Sequence, residues 1–208
     1  MDYKYLLIVD LESTCDDNNL ITKQQREIIE IAGIIVTWDF TIVSQFQTFV
    51  QPIQHPILTS FCQNLTHITQ ENVDNAPLLL HALQQFNAWL EPFHPFLFCS
   101  WGNYDKNQLK KDYEKLEISY PLGIEHVNLK TKFSQTQNLK QRYGMEKALR
   151  LCQIPLQGVQ HRAIDDVKNI LLLLPFIFGK EKIKVSESIL YTKKRKDKSK
   201  KTETLHVH

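Results

Sequence analysis

The segment YKYLLIVD, residues 3–10, is an apolar run that stops at an acid, and it constrains the fold more than any other stretch of the chain. It has the pattern of a buried strand whose C-terminal end opens onto a site. After a polar loop, CDDNNLITKQQ, two β-rich segments (EIIEIAGIIVTWD and TIVSQFQTFVQP) are joined tightly around residues 39–41, the pattern of an antiparallel hairpin. Three strands side by side are therefore expected first.

Pro52, Pro56 and Pro77 punctuate the next stretch, where ILTSFCQNL and TQENV predict short helices. Leu79, Leu83, Phe86 and Leu90 have helical spacing, so a helix is expected from about 77 to 91. PFLFCSW then predicts a fourth strand, a helix begins near Asn103, and IEHVNL predicts a fifth strand. LKTKFSQTQ, MEKALRLCQ and HRAIDDVKNILLLLPFIFG are three further helix-like pieces, the last with Ile164, Val167, Ile170, Leu171 and Leu174 in one stripe that docks on the sheet. The order is β-β-β-α-β-α-β-α.

At 208 residues, 42% hydrophobic and 23% charged, the chain can bury one sizeable core. The formal net charge of +2 hides an asymmetry, because the seven Lys/Arg of residues 191–208 face only Asp197 and Glu203. A domain over 1–180 and a basic tail over 181–208 that stays mobile until it meets nucleic acid or an acidic protein are expected. No apolar run approaches the roughly 20 residues of a membrane span, and the start of the chain meets acid too early for a signal-peptide core, so a cytoplasmic protein is expected. Cys15, Cys62, Cys99 and Cys152 lack CxxC pairing and are expected as free thiols.

The residues that carry chemistry lie where these elements begin or end. Asp10 and Glu12 are separated by one residue, so in a strand both side chains leave the same face and can share a metal ion. Asp105 lies just inside the helix that Asn103 starts, where a carboxylate also complements the helix dipole. His161 and Asp166 enter the last helix. Taken singly, each has an ordinary structural explanation as a solvated strand end, a cap or a surface group; together they form a set of hard oxygen donors with one imidazole.

These motifs resemble the DEDDh 3′-to-5′ exonucleases of the ribonuclease H-like superfamily. The resemblance runs from about residue 4 to residue 178: D-x-E at Asp10 and Glu12, a second motif at Asp105, and H-x4-D at His161 and Asp166. DLESTCDD, EIIEIAGIIV, FCQNLTHITQENVDNAP, SWGNYDKNQL and HRAIDDVKNI are similar to the enhanced-RNAi/KapD-type branch. One position departs from it, since that branch usually reads L-T-G-I where this chain has Leu65, Thr66, His67 and Ile68. A bulkier His67 is expected to bear on how the 3′-terminal nucleotide is seated. H-x4-D selects Asp166 over its neighbour Asp165, which is left a supporting or surface role.

The resemblance implies an α/β, ribonuclease H-like fold with a central mixed five-stranded sheet flanked by helices. It also implies two Mg²⁺ or Mn²⁺ ions about 4 Å apart, held by Asp10, Glu12, Asp105 and Asp166, with His161 as general base. The products would be nucleoside 5′-monophosphates released from a single-stranded 3′ end. Ser13 and Thr14, beside the first motif, would contact the terminal ribose, which is where RNA would be distinguished from DNA.

From the residues alone, Trp101 is a candidate for stacking on a base, although packing is its more ordinary role, and Trp38 and Trp89 default to packing. Arg162 closes a segment in which Lys130, Lys132, Lys140, Arg142, Lys147, Arg150 and Arg162 face one acid, Glu146. That segment is a candidate contact for phosphates upstream of the scissile bond. RNA is favoured as substrate. A DNA exonuclease and a non-catalytic nucleic-acid-binding regulator on the same fold stay open as alternatives, as does the oligomeric state.

Overall fold

The computed structural model describes residues 3–18 and 20–184. Five strands form one sheet in the order β3-β2-β1-β4-β5: β1 (Tyr5–Ser13), β2 (Ile28–Val36), β3 (Ile42–Phe49), β4 (Phe96–Ser100) and β5 (His126–Asn128). The β1–β2 and β2–β3 pairs are antiparallel, whereas β4 and β5 run parallel to β1. The first three strands are consecutive in sequence, joined by the polar loop over 14–27 and a short turn over 37–41. The parallel ones require helical crossovers.

Period-two alternation along β1 divides the molecule into two cores. Leu6 and Ile8 face one side with Ala32, Ile34 and Val36 of β2, and Leu7, Val9 and Leu11 face the other with Ile31 and Ile35. The first face is covered by α5 (Leu129–Thr136), α6 (Met145–Leu151) and α7 (Ala163–Ile177), through Leu129, Phe133, Leu149, Val167, Ile170 and Leu174. The second is covered by α3 (Leu79–Leu90) and α4 (Tyr104–Lys115), through Ala82, Leu83, Phe86, Leu109 and Tyr113. Gly33 of β2 lies directly under Trp89, where an added Cβ would come within 3.1 Å of the indole. The layers are helix, sheet, helix, with β2 buried along its whole length.

Two strands differ in length from the sequence expectation. β1 continues three residues past Asp10, because Asp10, Leu11 and Glu12 stay in register with Ala32, Ile31 and Glu30 of the long partner strand. β5 is only three residues long: its last residue, Asn128, pairs with Ser100 and also caps α5, its side chain accepting from the Thr131 amide at 3.0 Å, and Ile124 is fully exposed. Residues 181–183, assigned from the sequence to the tail, pack on the body, as does Lys180 just before them. The Lys180 and Lys182 ammonium groups donate to the carbonyls of Trp38 and Thr136, and the Ile183 amide donates to Gln137. The basic run from 191 lies outside the described residues. No helix among the described residues is long and apolar enough to cross a membrane.

The segment between β3 and α3 folds into two short helices, α1 (Ser60–Thr66) and α2 (Gln70–Asp74). Thr59 caps the first and Thr69 the second, the latter by a reciprocal bond with Asn72. His67 ends α1 in the left-handed conformation, with φ 56°. That geometry explains why a glycine suits the position: only glycine adopts it without a Cβ penalty. His67→Gly is expected to stabilise the protein by about 1 kcal/mol, read as a higher denaturant midpoint at unchanged m-value.

Candidate active site

β1 presents Asp10 and Glu12 in the same row as Leu6 and Ile8, on the face that α7 covers. The apolar row thus becomes acidic where the strand outruns the helix layer. Asp105 enters from the first turn of α4, and Asp166 from the first turn of α7. Asp10, Glu12, Asp105, His161 and Asp166, separated by up to 156 positions in sequence, line one cavity of about 430 Å³. Leu11, Ser13, Arg26, Trp101 and Tyr104 contribute to the same walls.

The electrostatics of this cavity are those of acids held close together, none of the four in an ion pair among the described residues. Burial, followed by the charges of Asp105, Glu12 and Asp166, holds the Asp10 carboxyl well above its usual range. Burial and the charge of Asp166 push Glu12 up to about 9. Burial takes Asp166 to about 7 and Asp105 to about 6, the latter against the lowering influence of its own backbone amide and of Ser100 and Leu11 nearby. Glu12, His161 and Asp166 each offer one ligand atom within 4.8 Å of the others, and Asp166 Oδ1 is buried with no hydrogen-bond partner. An oxygen-rich, mutually repelling donor set with an orphaned carboxylate oxygen fits a hard divalent cation.

His161 is carried on the loop between α6 and α7 with φ 62°, and its amide donates to Asp166 Oδ2 at 3.3 Å. The loop is strapped to α7 by side chains of that helix. Asn169 bonds both the amide and the carbonyl of Gln157, and Asp165 accepts the Val159 amide at 2.9 Å. Gly158, with φ 65°, passes so close beneath Asp165 that an added Cβ would lie 2.4 Å from its carboxyl carbon. Asp165 therefore supports the loop, one of the two roles, supporting or surface, expected for it beside the H-x4-D motif. Burial, and then the nearby charge of His67, hold the His161 imidazole below its ordinary value.

The remaining sequence candidates fall in different places. Ser13 lines the cavity, its hydroxyl accepting from Tyr104 Oη at 2.8 Å. Thr14 does not line it: its side chain is 1% exposed and its hydroxyl accepts the Glu27 amide at 3.0 Å, fastening the start of β2. Trp101 stands at the rim and packs on Phe133, with ring centroids 6.0 Å apart. His67 lies on the exposed end of α1, outside the cavity lining.

Arg162 does not extend to solvent as a free phosphate contact. Its guanidinium grips the buried Glu30 carboxylate at 3.2 and 3.3 Å and lies over the Phe49 ring. Of the other cations in its segment, Lys132 lies over Phe178, and Lys140 and Arg150 also have partners.

Glu30 is the residue that the sequence reading missed. Fully buried on β2 directly across from Glu12, it accepts from Arg162, from the Ala163 amide at 3.0 Å and from Gln47 at 3.0 Å. It thereby fixes the entry of α7 to the sheet beside the acid cluster. The available signal was an acid in the interior of an otherwise apolar strand. Arg162→Ala, which leaves that carboxylate buried and half satisfied, is expected to cost about 3 kcal/mol of stability in denaturant unfolding. A loss under about 0.5 kcal/mol, the scale of an ordinary surface change, would show the pair to be incidental.

The sequence matches the family described as Exonuclease over residues 7–174. It is 32% identical over 190 residues to ERI1 exoribonuclease 3 of Homo sapiens, covering 81% of this chain and 52% of that one. It is 29% identical over 193 residues to ERI1 exoribonuclease 2 of Danio rerio, covering 82% and 34%. A third relative, the probable 3′-5′ exonuclease KapD of Bacillus subtilis, is 30% identical over 162 residues, with 77% and 78% covered. The chain thus spans between a third and a half of these two ERI1 relatives and most of KapD.

Among solved structures, a 3′-exonuclease described for 3′-end specific recognition of a histone mRNA stem-loop aligns with TM-score 0.76 at 24% identity, over 85% of this chain and 65% of that one. The nuclease domain of 3′hExo, a DEDDh family member bound to rAMP, aligns with TM-score 0.75 at 22% identity, over 88% and 96%. The α/β sheet and its helical layers are those of the ribonuclease H-like exonucleases.

Proposed function

This chain belongs to the DEDDh 3′-to-5′ exonuclease family, and on that premise we propose that it is a divalent-metal-dependent 3′-to-5′ exoribonuclease. One observation carries the reading: four carboxylates and one imidazole converge on a single cavity although the chain separates them by up to 156 positions. A protein that only bound nucleic acid would gain nothing from that convergence, because four buried acids repel both one another and phosphate. In this reading residues 1–180 are the catalytic domain and 181–208 a basic appendage. RNA is favoured over DNA because the ERI1 relatives are described as exoribonucleases.

Asp10, Glu12, Asp105 and Asp166 would hold two ions, Mg²⁺ or Mn²⁺ by the hardness of the oxygen donors. When bound, the ions supply an activated water and charge relief at the scissile phosphate. The chain's own residues do the rest. Asp10 and Glu12, fixed by the β1–β2 ladder, set the cavity floor, and Asp166 is oriented by the His161 amide on one oxygen with the other free for a ligand. His161 takes the proton from the attacking water. Its lowered pKa keeps the ring neutral and able to accept at neutral pH. Its strapped loop limits the imidazole's positions, so the base is delivered preorganised. Ser13, held by Tyr104, presents a polar group where a terminal ribose would lie.

The test is digestion of matched single-stranded RNA and DNA oligonucleotides, labelled at the 5′ or the 3′ end, with Mg²⁺, Mn²⁺ or EDTA. The reading expects a ladder shortening from the 3′ end, mononucleotide products, a preference for RNA and no cleavage in EDTA. Binding without cleavage under either ion would overturn it, and faster digestion of DNA would move the substrate class.

A further inference from the structure

One cation lines the acidic cavity without serving the acids. Arg26 lies just before β2, and its backbone carbonyl is held by the Gln108 and Lys111 side chains. Its side chain therefore projects from an anchored point. Among the described residues it has no carboxylate partner, and its Nε is buried with no hydrogen-bond acceptor.

The nearby acids are engaged elsewhere. Glu27 accepts from the amides of Ile53, Gln54 and His55, and Asp16 from those of Leu20 and Ile21. Nor is Arg26 among the main influences on Asp10, Glu12, Asp105 or Asp166, whereas its charge is felt at Tyr104, Cys15 and Cys62. The Tyr104 hydroxyl, which donates to Ser13 Oγ, has its oxygen free to accept from the guanidinium.

A buried N–H with nothing to bond costs about 1–3 kcal/mol, and a planar fork of donors matches the oxygens of a phosphate. Resting on the functional reading above, we propose that Arg26 is a substrate-binding residue of this site, gripping a phosphate oxygen of the strand from the wall formed with Ser13 and Tyr104. It offers the substrate a fixed positive charge that the metal-binding acids do not neutralise. The acids would then recruit ions and the arginine would recruit the strand.

The experiment is a binding titration of a 5′-fluorescein single-stranded RNA oligonucleotide by the full chain in Ca²⁺, over a series of salt concentrations, for wild type, Arg26→Gln and Arg26→Lys. For Arg26→Gln the Kd is expected to rise about tenfold and the slope of log K against log salt to shrink by about 0.7, the value of one phosphate contact on a single strand. Arg26→Lys, which keeps the charge and the aliphatic stem but not the fork, is expected to bind with an intermediate Kd.

Wild-type Kd and slope in both variants would overturn the assignment. So would a weaker Kd with an unchanged slope, which is the mark of lost packing. If wild type binds the oligonucleotide but digests it with neither Mg²⁺ nor Mn²⁺, the exonuclease reading fails while the Arg26 contact is still decided by Kd and slope. If wild type digests and Arg26→Gln binds as wild type does, only the Arg26 contact fails. Absence of binding in wild type overturns both.

Discussion

Asp10→Asn abolishes digestion of a 3′-end-labelled oligonucleotide, by roughly 10³-fold or more given the several kcal/mol that a metal centre contributes, and at the same time raises the Tm of the metal-free protein. The two effects have one cause. Asp10 is buried among Asp105, Glu12 and Asp166, and every one of these acids has a folded-state pKa above its ordinary value. A group raised in this way contributes stability below its unfolded pKa and loses it as the pH climbs through the folded one.

The penalty therefore grows from about pH 4 upwards, through about 6 for Asp105, about 7 for Asp166 and about 9 for Glu12. Removing one carboxylate relieves the others. In EDTA the variant is expected to melt several degrees above wild type near pH 8, with the gap closing towards pH 5. Saturating Mg²⁺ or Mn²⁺ should stabilise wild type more than the variant. A variant that melts at or below wild type in EDTA near pH 8 would show that the acids are not in mutual conflict and have no need of cations.

His161→Ala is expected to lower turnover by about 10²- to 10⁴-fold, the range for loss of a general base, while the Kd for an oligonucleotide in Ca²⁺ stays within about threefold of wild type. The pH dependence supplies a second reading. Burial and the His67 charge lower the His161 pKa, so the acid limb of the wild-type kcat/KM profile should fall below the usual imidazole range of about 6.5. That limb should vanish in the variant. If His161→Ala lost oligonucleotide binding in proportion to turnover, His161 would be a ligand or a structural group and not the base.

The strands, the helices and their order were legible because each depends on local pattern. An apolar run stopping at Asp10, a tight β2–β3 junction and a 3.6-residue stripe on α7 are all visible without tertiary knowledge. The residues of the three motifs were legible too, since their spacing survives in one dimension, although only the fold brings them to one cavity. What could not be read were features set by partners distant in sequence. β1 reaches Ser13 because β2 is long enough to pair with it, and β5 begins only at His126, where pairing with β4 begins.

Arg162 read as a free cation from its neighbours in sequence, yet its partner Glu30 lies 132 positions away. Thr14 looked like part of the site because it lies beside the D-x-E motif, but it falls just past the end of β1, where its amide donates to the Glu27 carbonyl and its hydroxyl accepts the Glu27 amide. Sequence proximity to a motif is a poor guide where the strand carrying that motif ends.

α7 brings Asp166, closes the first core over the Leu6–Ile8 row and, through its strapped approach loop, delivers His161. On the proposed reading, a chain lacking α7 would leave the Leu6–Ile8 row of the sheet uncovered, with Asp10, Glu12 and Glu30 on the bare face, and without Asp166 it would have no competence to hydrolyse. One helix would then complete both the core and the chemistry.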